Sequence, residues 1–137
     1  MKYKLAILTT TINPDVIELM HTSAKDEIGM QSAQLVRTEK TLGCLDMPVI
    51  ADVLFQQEDV DGLVVLGAVA QGETKHDELV VNVMTDKVIE LSIKYKKPVG
   101  FGVIGPGAKP DQFLPRAEEY ARRAVQACIQ NLDIINK

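Results

Sequence analysis

The sequence predicts an α/β fold, a three-layer αβα sandwich in which a four-stranded parallel sheet has helices on both faces. Two observations support this prediction. Apolar, strand-like runs alternate with segments of helical periodicity from one end of the chain to the other. The third run, Leu63 to Leu66, is apolar at every position, which is typical of a strand buried on both faces of a parallel sheet. Right-handed crossovers between such strands place helices on both faces.

In the first half of the chain we predict two strands and two helices. The first strand, residues 4–9, ends before Asn13-Pro14, a pair that favours a helix start because proline suits the first turn. The first helix, residues 15–28, carries apolar side chains at three- and four-residue spacing. The other elements of this half are a strand over residues 32–38, a loop over 43–48, and a helix over 49–57 with one apolar face.

The second half repeats the alternation. The third strand, residues 61–67, precedes a long helix over residues 76–96, which ends in two lysines before Pro98. The fourth strand, residues 98–104, is followed by Gly105-Pro106-Gly107, which we interpret as a chain break. The last helix is predicted over residues 110–131.

Composition predicts one domain, residues 1–137, with a substantial core. The 137 residues are one domain's length, and 46% are hydrophobic, which argues against disorder. A net charge of −4 provides no general basic face, so we expect neither nucleic acid nor a membrane surface as a partner. No apolar run approaches the roughly 20 residues of a membrane span. Cys44 and Cys128 show no metal-ligand spacing, and we expect reduced thiols in a cytoplasmic protein.

The loop after the third strand carries the residues best suited to chemistry, in the segment Gly72-Glu73-Thr74-Lys75-His76. A loop that opens a helix presents free backbone N–H groups to an anion. Thr74 adds a hydroxyl, and His76 adds an imidazole that titrates near neutrality. An anion site beside a proton-transfer group suggests a phosphorylated substrate. The alternative is that Thr74 merely caps the helix and His76 is an exposed residue of its first turn.

Other candidates are weaker when each is taken alone. Asp46, in the loop after the second strand, suits ligand hydroxyls, although taken alone it is more often a plain loop acid. Arg116 suits bidentate phosphate contact, although a lone helical arginine is usually a solvated charge. Phe101 lies in mid-strand, where an aromatic ring usually belongs to the core. Arg122 and Arg123 are predicted to be surface charges. Walker, dinucleotide-binding and nucleophile-elbow motifs do not occur.

Together these segments resemble the lumazine synthase family, most closely its archaeal branch, from residue 4 to about residue 132. The Gly-x-Thr-x-His element after a buried strand is its most specific part. The other matching segments are residues 43–48, 66–71, 97–103, 105–107 and 122–125, with Arg116. The resemblance implies a flavodoxin-like sheet and homopentamers, some of which close into icosahedral shells of sixty subunits. The sequence leaves pentamer and shell open.

The reaction that the resemblance implies is a condensation in riboflavin biosynthesis. The substrates are 5-amino-6-ribitylaminouracil and 3,4-dihydroxy-2-butanone 4-phosphate, and the products are 6,7-dimethyl-8-ribityllumazine, phosphate and water. No cofactor or metal is needed. His76 would be the general acid and base, and phosphate would contact Gly72, Glu73, Thr74 and, from the adjacent subunit, Arg116. The ribityl and pyrimidine groups would contact Ile12, Asn13, Cys44, Leu45, Asp46, Val69 and the adjacent subunit's Phe101.

One departure from the family pattern is Ile12, because the family usually has an aromatic residue there. Isoleucine covers a ring face without π-stacking, so we expect weaker binding of the heterocycle rather than lost chemistry. Leu45 is a milder departure of the same kind. Three other functions remain open at this point: a flavodoxin-like module that binds phosphate or flavin without turnover, an archaeal type of riboflavin synthase, and a shell-forming structural protein.

Overall fold

The computed structural model describes residues 2–137 and confirms the predicted α/β fold. One four-stranded sheet has the strand order β2-β1-β3-β4, and all neighbouring strands are parallel. The strands are β1 (Lys4–Thr10), β2 (Gln34–Thr41), β3 (Gly62–Ala70) and β4 (Val99–Ala108). The helices are α1 (Pro14–Met30), α2 (Met47–Phe55), α3 (His76–Tyr95) and α4 (Phe113–Ile135). Short 3₁₀ turns at Cys44–Asp46 and Pro110–Gln112 precede α2 and α4.

The sheet separates two hydrophobic clusters. α1 and α4 pack on one face, against β-strand residues such as Ile7 and Leu66. α2 and α3 pack on the other face, against residues such as Leu8 and Val65. β1 and β3 are central and buried on both faces, as the continuous apolar run predicted. α3 and α4 therefore lie on opposite faces of the sheet.

β3 and β4 run well beyond their predicted carboxyl ends. β3 continues through Gly67 to Ala70, and β4 continues through the predicted break to Ala108. Gly105 has a φ of 118°, and a Cβ there would lie 2.6 Å from the Val69 carbonyl oxygen. The glycines therefore allow an irregular, closely approaching strand end rather than a turn away from the sheet.

The second strand also differs from its prediction, which began at Ser32. Ser32 takes a left-handed conformation with a φ of 57° just after α1, and β2 starts only at Gln34. At its other end β2 runs on to Thr41, paired with Thr10 of β1. The extension brings the ends of β1 and β2 to the same edge of the sheet.

α4 lies unusually close to β4 because two glycines replace side chains at the contact. A Cβ at Gly100 would lie 1.9 Å from the Ala124 carbonyl oxygen, and one at Gly102 would lie 2.9 Å from the Tyr120 carbonyl oxygen. Cys128, further along α4, is fully buried. Within residues 2–137, none of the helices is both long and apolar enough to span a membrane.

Candidate active site

The loops that follow the four strands meet at the carboxyl edge of the sheet, and hydrogen bonds fix them to one another. Asn13 donates through Nδ2 to the Ala68 carbonyl oxygen at 3.0 Å, which ties the loop after β1 to β3. The Thr11 N–H donates to the Thr41 carbonyl oxygen at 2.9 Å. The Gln71 N–H donates to the Ala108 carbonyl oxygen at 2.6 Å. These hydrogen bonds bring the loops together at one edge within a single chain.

His76 is the first residue of α3 and is exposed at this edge. Lys75 precedes it with a left-handed φ of 59°, and no side chain among the described residues caps the helix there. Thr74 is exposed and is not the N-cap, so the alternative in which Thr74 merely caps the helix is wrong. Its hydroxyl is therefore not used to start the helix.

Asp77 is a residue of this site that the sequence analysis missed. Its side chain is only 3% exposed, although it follows the exposed His76 directly. Its Oδ2 accepts a hydrogen bond from the Gly107 N–H at 2.8 Å, and its Oδ1 accepts one from the Gly72 N–H at 3.5 Å. These donors, with Gly107 first, hold the pKa of the Asp77 carboxyl below its usual value despite burial, which opposes the shift. The sequence signal was an acid in the first turn, but nothing in it revealed the partner at Gly107.

The charge around this loop does not by itself favour an anion. The loop and the first turn of α3 carry three carboxylates, on Glu73, Asp77 and Glu78. Lys75 contributes one ammonium group. The positive end of the α3 dipole is therefore partly neutralised within the subunit.

The loop after β2 forms the neighbouring part of the edge. The Asp46 Oδ2 accepts a hydrogen bond from the Gly43 N–H at 3.0 Å, which closes the 3₁₀ turn and leaves the side chain exposed. Cys44 is 5% exposed and packs in the cluster under α2 and α3, and burial raises the pKa of its thiol to about 11. Leu45, like Ile12 after β1, has about half of its side chain exposed, at 49% against 52%. Val69 of β3 is half-buried on the same face of the sheet as Cys44.

Phe101 and Arg116 lie apart from His76 within one subunit. Phe101 is paired with Val65, five residues before β3 ends at Ala70, which is about 16 Å along the strand at roughly 3.3 Å per residue. Arg116 is exposed in the first turn of α4 and donates through Nη1 to the Gln112 carbonyl oxygen at 3.2 Å. It lies on the α1–α4 side of the sheet, whereas His76 begins a helix of the other side. Among the described residues, no hydrogen bond links Arg116 to the predicted residues on the α2–α3 side.

A family model described as 6,7-dimethyl-8-ribityllumazine synthase matches residues 2–136 of this chain. The chain belongs to the 6,7-dimethyl-8-ribityllumazine synthase family. Curated proteins of that name are similar to it throughout. The Aeropyrum pernix protein is 40% identical over 130 residues, covering 94% of this chain and 88% of the relative. The Pyrobaculum calidifontis protein is 41% identical over 127 residues (93% and 85%), and the Staphylothermus marinus protein is 42% identical over 124 residues (90% and 83%).

The lumazine synthase match includes every candidate residue, from Ile12 to Arg116. It therefore confirms the resemblance stated from the sequence, including its archaeal character. The roles of individual side chains remain predictions, which the geometry described above makes specific enough to test.

Proposed function

We propose that this protein is a cytoplasmic 6,7-dimethyl-8-ribityllumazine synthase. It condenses 5-amino-6-ribitylaminouracil with 3,4-dihydroxy-2-butanone 4-phosphate and releases phosphate and water, without a cofactor. The observation that carries the proposal is an exposed imidazole at the start of α3, directly after the Gly72-Glu73-Thr74 loop, in a chain of this family. A phosphorylated substrate bound at this edge lies beside the imidazole, which can transfer protons to and from it.

The chemistry is a sequence of proton transfers around carbon–nitrogen bond formation. The amine of the uracil attacks the ketone, water leaves to give an imine, phosphate is eliminated, and ring closure expels a second water. His76 takes and returns protons in these steps as a general acid and base. Holding two substrates in one geometry contributes much of the remaining acceleration, because it converts a bimolecular step into an effectively unimolecular one.

Phosphate is held by Gly72, Glu73 and Thr74, through backbone N–H groups and the Thr74 hydroxyl. Since three carboxylates stand against one lysine in this part of the subunit, a cation must come from elsewhere. Arg116 of the adjacent subunit supplies it in this proposal. Its exposed guanidinium, on the opposite side of its own sheet from His76, is consistent with a role across a subunit boundary.

The uracil and its ribityl chain lie on the α2–α3 side of the edge. Ile12, Leu45 and Val69 provide apolar contacts, and Phe101 of the adjacent subunit completes them. Asn13 and Asp46 provide polar groups for the heterocycle and the ribityl hydroxyls, while buried Cys44 supports the loop from the core.

The active form is a homopentamer, and a closed shell of pentamers remains compatible with the chain. Two different apolar surfaces support a head-to-tail ring, which requires unlike patches on each subunit. The first surface consists of exposed side chains of the α2 region: Leu42, Leu45, Val49 and Val53. The second surface consists of side chains on α3 and β4: Ile89, Phe101 and Val103. β4 is also an edge strand without a charged residue, and such edges are normally covered.

The test is turnover of the two precursors by purified protein, followed by the absorbance of the lumazine product. We expect turnover by the wild type and a loss of about ten- to a thousandfold in kcat for His76→Ala, around the range for acid–base groups. His21→Ala is the matched control. The only other histidine lies on α1, where its Nε2 is 3.1 Å from the Thr38 hydroxyl. We expect this variant to keep its turnover.

The outcomes separate the function from the role of His76. A wild type without turnover contradicts the proposed function and favours a binding or shell protein. A His76→Ala variant as fast as the wild type removes His76 from its role and leaves the function in place.

A further inference from the structure

The buried carboxylate of Asp77 has no role in the reaction described above, and its surroundings distinguish it from its neighbours. Three consecutive residues open α3: His76 and Glu78 are exposed, and Asp77 is 3% exposed. An ordinary first-turn acid stabilises the helix dipole from the surface, which Glu78 already does. Burial of a carboxylate is favourable only where specific donors replace its water.

Those donors come from two different loops. Gly107, 30 residues later in the chain, donates its N–H to Oδ2 at 2.8 Å, and Gly72 of the loop before α3 donates to Oδ1 at 3.5 Å. Gly107 adopts a φ of 84°, although a Cβ there would meet nothing within 4 Å. The positive φ, rather than a lack of room for a side chain, therefore favours glycine at this position. In this conformation the Gly107 N–H points at the Asp77 carboxylate.

We infer that Asp77 is a positioning residue that fixes the Gln71–Lys75 loop against the end of β4 and so sets where the substrate phosphate lies relative to His76. This inference rests on the proposed function. The carboxylate lies between the loop that would hold phosphate and the irregular end of β4, and it is covalently next to His76. Removing it frees the loop without removing any group assigned to phosphate or to proton transfer.

The distinguishing property is a selective effect on one substrate. A phosphate-binding loop without its anchor raises the KM of the phosphorylated butanone. The KM of the uracil substrate should not change, because its contacts with Ile12, Asn13 and Leu45 lie on other loops. A general loss of stability would instead raise both KM values and lower the melting temperature. Misplacement of a bound group by about an ångström can change rates by on the order of a hundredfold.

The experiment compares Asp77→Ala, Asp77→Asn and the control Glu78→Gln, which neutralises the adjacent exposed acid. For Asp77→Ala we expect kcat to fall about 10- to 100-fold and the KM of the phosphorylated butanone to rise, with the KM of the uracil substrate nearly unchanged. Asp77→Asn keeps an amide oxygen for Gly107 and should restore most of that loss. Glu78→Gln should resemble the wild type. Equal increases in both KM values, or no increase for Asp77→Ala, would overturn the inference.

Amide hydrogen exchange provides a readout that does not depend on turnover. The N–H of exposed Gly107 should be protected in the wild type and in Asp77→Asn, and unprotected in Asp77→Ala. Weakened binding of inorganic phosphate by Asp77→Ala should accompany the loss of protection. Unchanged exchange at Gly107 or unchanged phosphate binding contradicts the positioning role, even where the wild type shows no turnover. If Asp77→Ala does not fold, Asp77→Asn alone tests the positioning role. Faster exchange of the Gly72 N–H, with the Gly107 N–H still protected, supports that role, whereas unchanged exchange at both glycines overturns it.

Discussion

Among the proposed site residues, Ile12 is the one that departs most from the family pattern. It follows β1, is 52% exposed, and precedes Asn13, whose side chain is hydrogen-bonded to the Ala68 carbonyl oxygen. The backbone at Ile12 is therefore held at the edge of the sheet while its side chain is open to a ligand. An isoleucine there covers a ring by dispersion alone.

Ile12→Phe should tighten binding of the lumazine product or of riboflavin by about two- to tenfold, since an aromatic contact adds roughly 0.5–1.5 kcal/mol beyond area burial. Fluorescence titration of the purified protein measures the Kd. Met30→Phe is the control, because it adds the same ring at a 70% exposed position at the far end of α1. An affinity unchanged by Ile12→Phe, or raised equally by Met30→Phe, contradicts this role of Ile12.

At this scale the sequence predicted exposed, local features better than buried, distant ones. His76 was placed at the start of a helix after a buried strand, and the structure agrees. Asp77 was missed because its burial depends on Gly107, and contacts across 30 residues leave no local pattern. Arg122, predicted to be a surface charge, is about a quarter exposed and lies in a network of ion pairs that the sequence did not reveal. It donates hydrogen bonds to carboxylates on α1 and α4, those of Asp26, Glu27 and Glu118.

At the scale of elements, the position of α4 on the sheet depends on the absence of side chains at two strand positions. Gly100 and Gly102 of β4 let the α4 backbone approach, with Ala124 over both. This contact holds the helix that carries Arg116. The close packing of α4 on β4 therefore sets the position of Arg116, although Arg116 itself is not part of that contact.

Gly100→Ala should lower the free energy of unfolding by at least about 2 kcal/mol, because its Cβ would overlap the Ala124 carbonyl oxygen. Gly67→Ala is the control. It is also a buried strand glycine, but its nearest contact would be Val103 at an ordinary 3.8 Å, so we expect little change. Urea unfolding at one fixed protein concentration compares the two, and equal stability of both variants would contradict the packing argument.

The order and type of all eight main elements were predictable from periodicity, whereas their ends were not. Gly67 and Gly105-Pro106-Gly107 were interpreted as strand ends, because glycine and proline usually terminate strands. In the structure both segments continue the sheet, since β3 and β4 support each other there through a shift in register between Ala68 and Ala70. Pairing with a neighbouring strand outweighs local preference, and the sequence does not show which strands are neighbours.

For the whole molecule, the central fact is that the predicted site residues fall into two separate groups. His76, Thr74 and Asp46 share one edge on the α2–α3 side. Phe101 is paired with Val65, about 16 Å along β3 from the end of that strand, and Arg116 lies in the first turn of a helix on the other side. A head-to-tail ring would join them at every boundary.

Mixed rings test this arrangement directly. His76→Ala and Arg116→Ala should each be poorly active alone. After unfolding and joint refolding in equal amounts, on the order of a quarter of the boundaries combine a native His76 with a native Arg116, and turnover should rise accordingly. The steady-state rate of the mixture, compared with the mean of the separate proteins, is the measurement.

His76→Ala mixed with Thr74→Ala is the control for the mixed rings. Both residues belong to one loop, so no boundary regains both, and the mixture should show no gain. A gain in this control, or none in the His76 and Arg116 mixture, would contradict a site shared between subunits.

The burial of both native thiols has a practical consequence for following such rings in solution. Cys44 and Cys128 are free and at most 5% exposed, and burial raises their pKa values to about 11 and about 12. Since the thiolate is the form that reacts, maleimide dyes should leave both untouched at neutral pH. An added cysteine on the outer surface of α4, such as Glu119→Cys, would accept donor or acceptor fluorophores selectively. Energy transfer between labelled subunits would then report their exchange in real time, with every native residue of the core retained.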